Sequence, residues 1–230
     1  MNWNGAISTR TTIGMGTGVV LAAFLPGIVL WSSLPDPMVV HWDVAGEAGG
    51  TASKTMGVFG IPLVLVGLFG LFLVLPRIDP LGANIERFRG HYNGFILVTI
   101  GCLGALHGAM LAYNLGTEIA MDAIAIGITG VILAYAGVLL GRAKPNWFVG
   151  IRTPWTLSSV TVWERTHALG GPLFLAAGIV LLVVAGVVAA VGGAAYAAYV
   201  ILGVVLVASL VPVAYSFYCY ERLGRPDDRP

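Results

Sequence analysis

A chain of 230 residues that is 57% hydrophobic, only 10% charged and of net charge +1 is not a water-soluble globule, in which about a quarter of residues carry charge. Its 12 Lys/Arg against 11 Asp/Glu leave no basic face able to cover a phosphate backbone, which excludes nucleic acid as a direct partner. Two cysteines, Cys102 and Cys219, are too few for a disulfide scaffold or a thiolate zinc site and read as buried thiols.

Thr11 to Leu34 is uncharged and exceeds the roughly 20 residues that a membrane-spanning helix needs. Pro26 within it predicts a kink. Arg10 before an apolar run resembles a secretory leader, but the run is too long and lacks a small-x-small cleavage site, so it reads as a retained first helix. Residues 35–56, PDPMVVHWDVAGEAGGTASKTM, form a polar connection of Pro and Gly expected to be mostly turns. Gly57 to Pro76 is a second uncharged span, followed by a charged loop at 77–92 with Arg77, Asp79, Glu86, Arg87 and Arg89. Asn93 to Tyr113 and Ala123 to Gly141 are the third and fourth spans, joined by a short link carrying Glu118 and Asp122.

Between Ala168 and Tyr220 no charge appears. A single helix of that length would be more than twice the roughly 30 Å hydrocarbon core, so it must fold back at Gly192-Gly193. This gives spans near Leu169 to Val191 and Tyr196 to Tyr218. The expected fold is an all-α integral membrane protein, a bundle of six transmembrane helices. Eleven Lys/Arg fall on the N-terminus, second loop, fourth loop and C-terminal tail, and one on the other loops. The positive-inside rule therefore places both termini in the cytoplasm and the 35–56 loop outside. Gly14-x-x-x-Gly18, Gly104-x-x-x-Gly108 and Gly137-x-x-x-Gly141 are candidate sites of close helix approach.

The fourth loop, with the start of the helix after it, concentrates the chemistry. PNWFVGIRTPWTLSSVTVWERTHALGG, residues 145–171, holds Trp147, Arg152, Trp155, Trp163, Glu164, Arg165 and His167, with Arg142 and Lys144 just before it. Its charges and irregular backbone are incompatible with hydrocarbon, so it reads as a segment lying on the bilayer surface with interfacial tryptophans. Thr161-x-x-Glu164 has capping-box spacing and predicts a helix start at Thr161, with Ser158 and Ser159 as helix-start residues. Trp163 and His167 share a face of that helix, and Glu164 is also within reach of His167. Arg152-Thr153-Pro154-Trp155 is extended or turning, because proline disfavours helix before it. The docking reading makes Arg152 a fork of donors and Trp155 a flat apolar face.

In the outer loop, Asp36, His41, Trp42, Asp43, Glu47 and Lys54 are candidate residues. One histidine with two acids is a poor metal set, so no metal or cofactor is assigned, and a turn held by Asp and Gly with Trp42 at the interface is expected. His107 is the one ionisable side chain inside a span, a functional candidate by its position. No charge accompanies it in any span, against coupled ion transport. No Ser-His-Asp or Cys-His arrangement is visible, and no catalytic residue is assigned.

The string Asn146-x-x-x-Gly150-Ile-Arg-Thr-Pro-Trp-Thr-Leu157, continuing to Trp163-x-x-Thr-His167 and Gly170, resembles the signature of the SdpI family of bacterial immunity proteins. Leu34-Pro-Asp36 through His41-Trp42, Gly46 and Lys54 resembles the small domain of unknown function that often precedes it. The resemblance implies two regions, 1–92 with the outer loop and the 77–92 cytoplasmic loop, and 93–230 with a cytoplasmic signature segment at 142–168. It implies a multi-pass protein of the bacterial plasma membrane that resists a toxic peptide or senses an envelope signal, and captures a cytoplasmic repressor protein. On that reading Arg152, Thr153, Pro154, Trp155, Trp163, Glu164, Thr166 and His167 form the partner- or ligand-binding set. The competing readings are a lipid-handling enzyme with Arg152 on a phosphate and His167 or Glu164 moving protons, and a small-molecule transporter centred on His107.

Overall fold

In the computed structural model, residues 7–43, 46–192 and 194–223 are described. Arg225 and Arg229 of the C-terminal tail, and Gly193, lie outside them. Helix α1 (Thr9–Val29) starts at Ser8, whose hydroxyl accepts the Thr11 N–H at 3.0 Å, one of the donors a helix start leaves unpaired. A single 3-10 turn, Trp31–Ser33, follows. Strands β1 (Met38–Trp42) and β2 (Ala48–Ala52) come next, then α2 (Lys54–Ile78), capped by Ser53. A short α3 (Gly82–Glu86) leads to α4 (Arg89–Asn114) and α5 (Met121–Leu140). The signature segment contains a one-turn α6 (Pro154–Ser158) before the long helices α7 (Val160–Val191) and α8 (Ala194–Leu223). Gly192, at φ +76°, ends α7 where the turn was expected.

Six of these helices are long and apolar enough to cross a membrane, as the sequence predicts. Their outer faces expose Leu21, Leu25, Leu63, Leu71, Val183, Val187, Leu206 and Leu210, surface that hydrocarbon accommodates and water does not. Proline sits inside α1, α2, α7 and α8, as membrane helices tolerate. Cys102 and Cys219 are free thiols, the first half-buried and the second buried.

The outer loop is not mostly turns. β1 and β2 pair antiparallel, Met38 opposite Ala52 and His41 opposite Gly50. Short β-branched β1 finds a partner because β2 is small: a β-carbon on Gly50 would already lie 3.3 Å from that of His41. Asn114, the last residue of α4, then pins the hairpin to the bundle. Its Oδ1 accepts the Val39 N–H at 2.8 Å and its Nδ2 donates to the Val39 carbonyl at 2.9 Å, as a third strand would.

Only one of the three expected glycine pairs marks close approach. Beta-carbons on Gly137 and Gly171 would lie 2.6 and 3.1 Å from each other's carbonyl oxygens, and Gly130 and Gly178 repeat this contact further along α5 and α7. Gly14, Gly18 and Gly108 meet nothing within 4 Å, and Gly104 meets Val19 only at ordinary contact distance. α1 instead approaches α2 through Gly16 against Phe69 and Gly27 against Val58, about three helical turns apart and so on one face. One core cluster joins Val20 and Ala23 of α1, Leu65 and Phe69 of α2, Tyr92, Ile96 and Ile100 of α4, Leu139 of α5 and Trp163 of α7. A second lies beneath the hairpin, around Leu34, Met38, Val58, Met110 and Met121.

Candidate functional site

The signature segment does not lie flat on a surface. It folds into one end of the bundle, and a single asparagine starts the turn. Buried Asn146 donates from Nδ2 to the Lys144 and Val149 carbonyls, both at 2.8 Å, and accepts at Oδ1 from the Phe148 and Val149 N–H groups at 3.0 and 2.6 Å. Every donor and acceptor of the amide is used. No other side chain of that size offers both two donors and two acceptors, so the turn specifies asparagine.

The chain then presses against α7. Trp163 and His167 share a helix face, as their spacing predicts, and stack with ring centroids 4.1 Å apart and planes 18° apart. Gly150, at φ +127°, lies over this stack, where a β-carbon would come 2.5 Å from His167 Nε2 and 3.1 Å from the Trp163 ring. The next residue, Ile151, donates its N–H to His167 Nε2 at 3.0 Å. Because Nε2 accepts, the proton sits on Nδ1, which donates to the Trp163 carbonyl at 2.8 Å and fixes the neutral tautomer. Trp163 Nε1 donates to the Ala143 carbonyl at 3.0 Å. Trp163 and His167 are therefore buried tie points, one for each side of the loop. Trp163 is not an interfacial anchor, because its only polar atom is already used inside the protein.

Next comes a true capping box, but not at Thr161. Thr153 caps α6, its Oγ1 accepting the Thr156 N–H at 3.1 Å while Thr156 Oγ1 accepts the Thr153 N–H at 2.9 Å. Pro154 takes the first helical position, where its missing N–H costs nothing. Thr156 Oγ1 also donates to the Ile151 carbonyl at 2.9 Å, and Thr153 Oγ1 pairs with Ser216 Oγ of α8 at 3.0 Å. α7 begins at Val160, capped by Ser159. Glu164 turns away from His167 and faces Lys144 at 3.9 Å, an exposed ion pair of small energetic weight. Thr166 is fully buried, and its hydroxyl has no partner among the described residues.

The outward-facing members are Arg152, Pro154 and Trp155. Arg152 is exposed and its Nη1 donates to the Trp147 carbonyl. Trp155 is half-buried and packs against Phe217 with centroids 5.1 Å apart. Beside them Trp147, Phe148, Leu157 and Val160 expose apolar surface.

Two residues that sequence reasoning passed over as loop polarity tie this end to the 77–88 connection. Buried Asp79 accepts the Leu81 N–H at 2.7 Å and, through its other oxygen, the Trp147 N–H at 2.9 Å. Asn84 Nδ2 donates to the Pro145 carbonyl at 2.7 Å. An acid three residues and an amide eight residues past the apolar span that ends at Pro76, close to Pro and Gly, are the one sequence signal for them.

The outer-loop candidates divide. Asp36 accepts the Lys54 N–H at 3.1 Å, and Lys54 Nζ donates to the Trp31 carbonyl at 3.2 Å, which fastens the loop to the start of α2. Asp43 shapes the hairpin turn, its Oδ1 accepting the Glu47 N–H at 3.0 Å. Trp42 is half-buried. It packs edge-on against Tyr113 at 5.1 Å, with His41 and Asp43 beside it on a cavity wall. Among the described residues no group of three His, Cys, Asp or Glu converges as metal ligands do. His107 is buried in α4 on the side of Ala23, and neither ring nitrogen has a hydrogen bond of good geometry.

Two family models match parts of this chain. Residues 142–216 match the model of the SdpI/YfhL protein family, and residues 18–66 match a domain of unknown function, DUF1648. The chain is 26% identical over 207 residues to the immunity protein SdpI of Bacillus subtilis (strain 168), covering 90% of this chain and 94% of that protein. It is 39% identical over 49 residues to the uncharacterized membrane protein YbgB of the same organism, covering 21% of this chain and 54% of that one. No solved structure matches significantly.

Proposed function

Residues 142–216 being an SdpI/YfhL-family region, behind a DUF1648 region at 18–66, we propose that this multi-pass membrane protein gives its cell immunity to a toxic peptide. The observation that carries the reading is similarity to an immunity protein along nearly the whole of both chains. The role is non-enzymatic. Both ring nitrogens of His167 are spent on backbone groups, which leaves it no lone pair to act as a base, and Glu164 points outward to Lys144.

The finer reading places the protein in the bacterial plasma membrane with both termini and the signature segment in the cytoplasm, which the distribution of Lys and Arg supports. Region 1–92 receives the toxin or envelope signal and region 93–230 reports it. Arg152, Pro154 and Trp155 form the contact surface for a cytoplasmic partner, a repressor held at the membrane. Thr153, Trp163, Thr166 and His167 hold that surface in shape from beneath, and Glu164 lies at its margin. For a ligand to be reported, it must favour one helix arrangement over another.

The test is survival of a sensitive strain with and without this protein under a panel of secreted killing peptides. Protection by the wild-type chain is expected. In the same strain Arg152→Ala with Trp155→Ala abolishes membrane recruitment of the co-expressed repressor while membrane insertion is unchanged. Equal killing with and without the protein across the panel would refute the immunity role.

A further inference from the structure

A cavity of about 190 Å³ lies between the hairpin and helices α2, α4 and α5. Ile61, Leu106, Met110 and Met121 give it apolar walls, and His41, Trp42, Asp43 and Asp122 stand in the same lining. Methionine walls adapt to side chains of differing shape. Two features distinguish it from a packing defect. Trp42 Nε1 is buried without an acceptor among the described residues, an arrangement that normally costs the desolvation of the donor. Asp122, in the first turn of α5, brings a carboxylate to the same lining, one oxygen of which accepts the neighbouring Ala123 N–H at 2.8 Å. Asp43 is engaged in the hairpin turn, which leaves recognition to Asp122 and Trp42.

We propose that this cavity is a binding site for a segment of a cationic, apolar peptide. The apolar walls take one large aliphatic or aromatic side chain, Trp42 Nε1–H donates to a backbone carbonyl, and Asp122 pairs with a lysine or arginine at the cavity mouth. The three demands together select a peptide over a lipid, because an acyl chain leaves the indole donor and the carboxylate unmatched. That the peptide is the toxin rests on the immunity reading. The hairpin, pinned by Asn114, closes one side of the site and links occupancy to α4 and α5, the helices that run on to the signature segment.

The experiment uses the full chain in phosphatidylcholine nanodiscs, which carry no net lipid charge, and a synthetic ten-residue Leu/Lys peptide with its lysine-acetylated form. The wild-type protein binds the Leu/Lys peptide. Asp122→Asn weakens that binding by about tenfold, the weight of one charge-assisted contact, and leaves the acetylated form unaffected. Ala125→Trp, which starts from an exposed position on the lining and so fills the mouth without disturbing packing, removes binding of both. Glu118→Gln, outside the lining on the same connection, changes nothing. Absence of binding to the wild-type protein, wild-type affinity in Asp122→Asn and Ala125→Trp, or an equal loss in Glu118→Gln overturns the site. Protection from a killing peptide that survives Ala125→Trp overturns the site and leaves the immunity role standing, whereas a wild-type chain that never protects strikes the role itself.

Discussion

Gly150 rests on His167 so closely that a β-carbon at position 150 would stand 2.5 Å from the imidazole Nε2. The same glycine has φ +127°, a backbone conformation that side chains disfavour. Gly150→Ala therefore meets two penalties at once, about 1–3 kcal/mol from the backbone alone and a clash with a buried ring fixed at both nitrogens. The variant should lower the thermal unfolding midpoint of the detergent-solubilised protein by several degrees. An unchanged midpoint would mean that the loop does not bear on the Trp163–His167 stack.

His167→Phe separates stacking from hydrogen bonding. The ring and its contact with Trp163 are kept, but the Ile151 N–H loses its acceptor and the Trp163 carbonyl loses a donor. A buried unpaired backbone donor costs about 1–3 kcal/mol. The Ile151 amide should exchange with deuterium at least tenfold faster in the variant, with α5 amides little affected. Unaltered exchange at Ile151 would show that the ring acts by packing alone.

Much of the architecture could be read from the chain because it depends on local, additive properties. An uncharged run of twenty apolar residues is a membrane helix whatever its neighbours do, and residues four apart share a helix face, which is how Trp163 and His167 could be paired in advance. The signature segment was legible as a place but not as a shape. Asn146, Asp79 and Asn84 act on carbonyls and N–H groups that carry no sequence mark, and Asp79 reaches Trp147 across 68 positions. The hairpin escaped for a related reason. Its strands are five residues each, too short for a period of two to stand out among prolines and glycines, and what holds it is Asn114, at the far end of α4. Four of the eight signature candidates, Thr153, Trp163, Thr166 and His167, read as a contact surface in the sequence but are buried, because polar and aromatic side chains look alike in a sequence whether they line a core or face a partner.

Glycines of identical composition should differ sharply in tolerance. Gly178 meets the Ala134 backbone nitrogen at 2.3 Å and the Gly130 carbonyl oxygen at 2.5 Å from its virtual β-carbon, whereas Gly186, two turns on, meets nothing within 4 Å. Gly178→Ala must push α5 and α7 apart along their closest crossing, where packing rather than a hydrophobic gradient holds membrane helices together. Gly186→Ala instead gains helix propensity of up to about 1 kcal/mol. Thermal aggregation in detergent should come earlier for the first variant and no earlier for the second. Equal behaviour would remove the glycine crossing as the feature that joins these helices.

Asp79 links the connection after α2 to the signature segment, since its carboxylate accepts from the Leu81 and Trp147 N–H groups at once. Asp79→Ala leaves the Trp147 N–H without its acceptor but does not touch Asn146 or the His167 tie, so the turn from 145 to 149 should loosen locally rather than unfold. A cysteine placed at Phe148, on a chain whose native cysteines are replaced, should then react with a membrane-permeant maleimide several times faster than in the Asp79-containing parent. Asn84→Ala, which frees the Pro145 carbonyl, should have a similar effect, and the double variant should fall short of the product of the two because both substitutions release one short loop. Full multiplicativity would instead place Asp79 and Asn84 in separate structural units, each holding its own part of the loop.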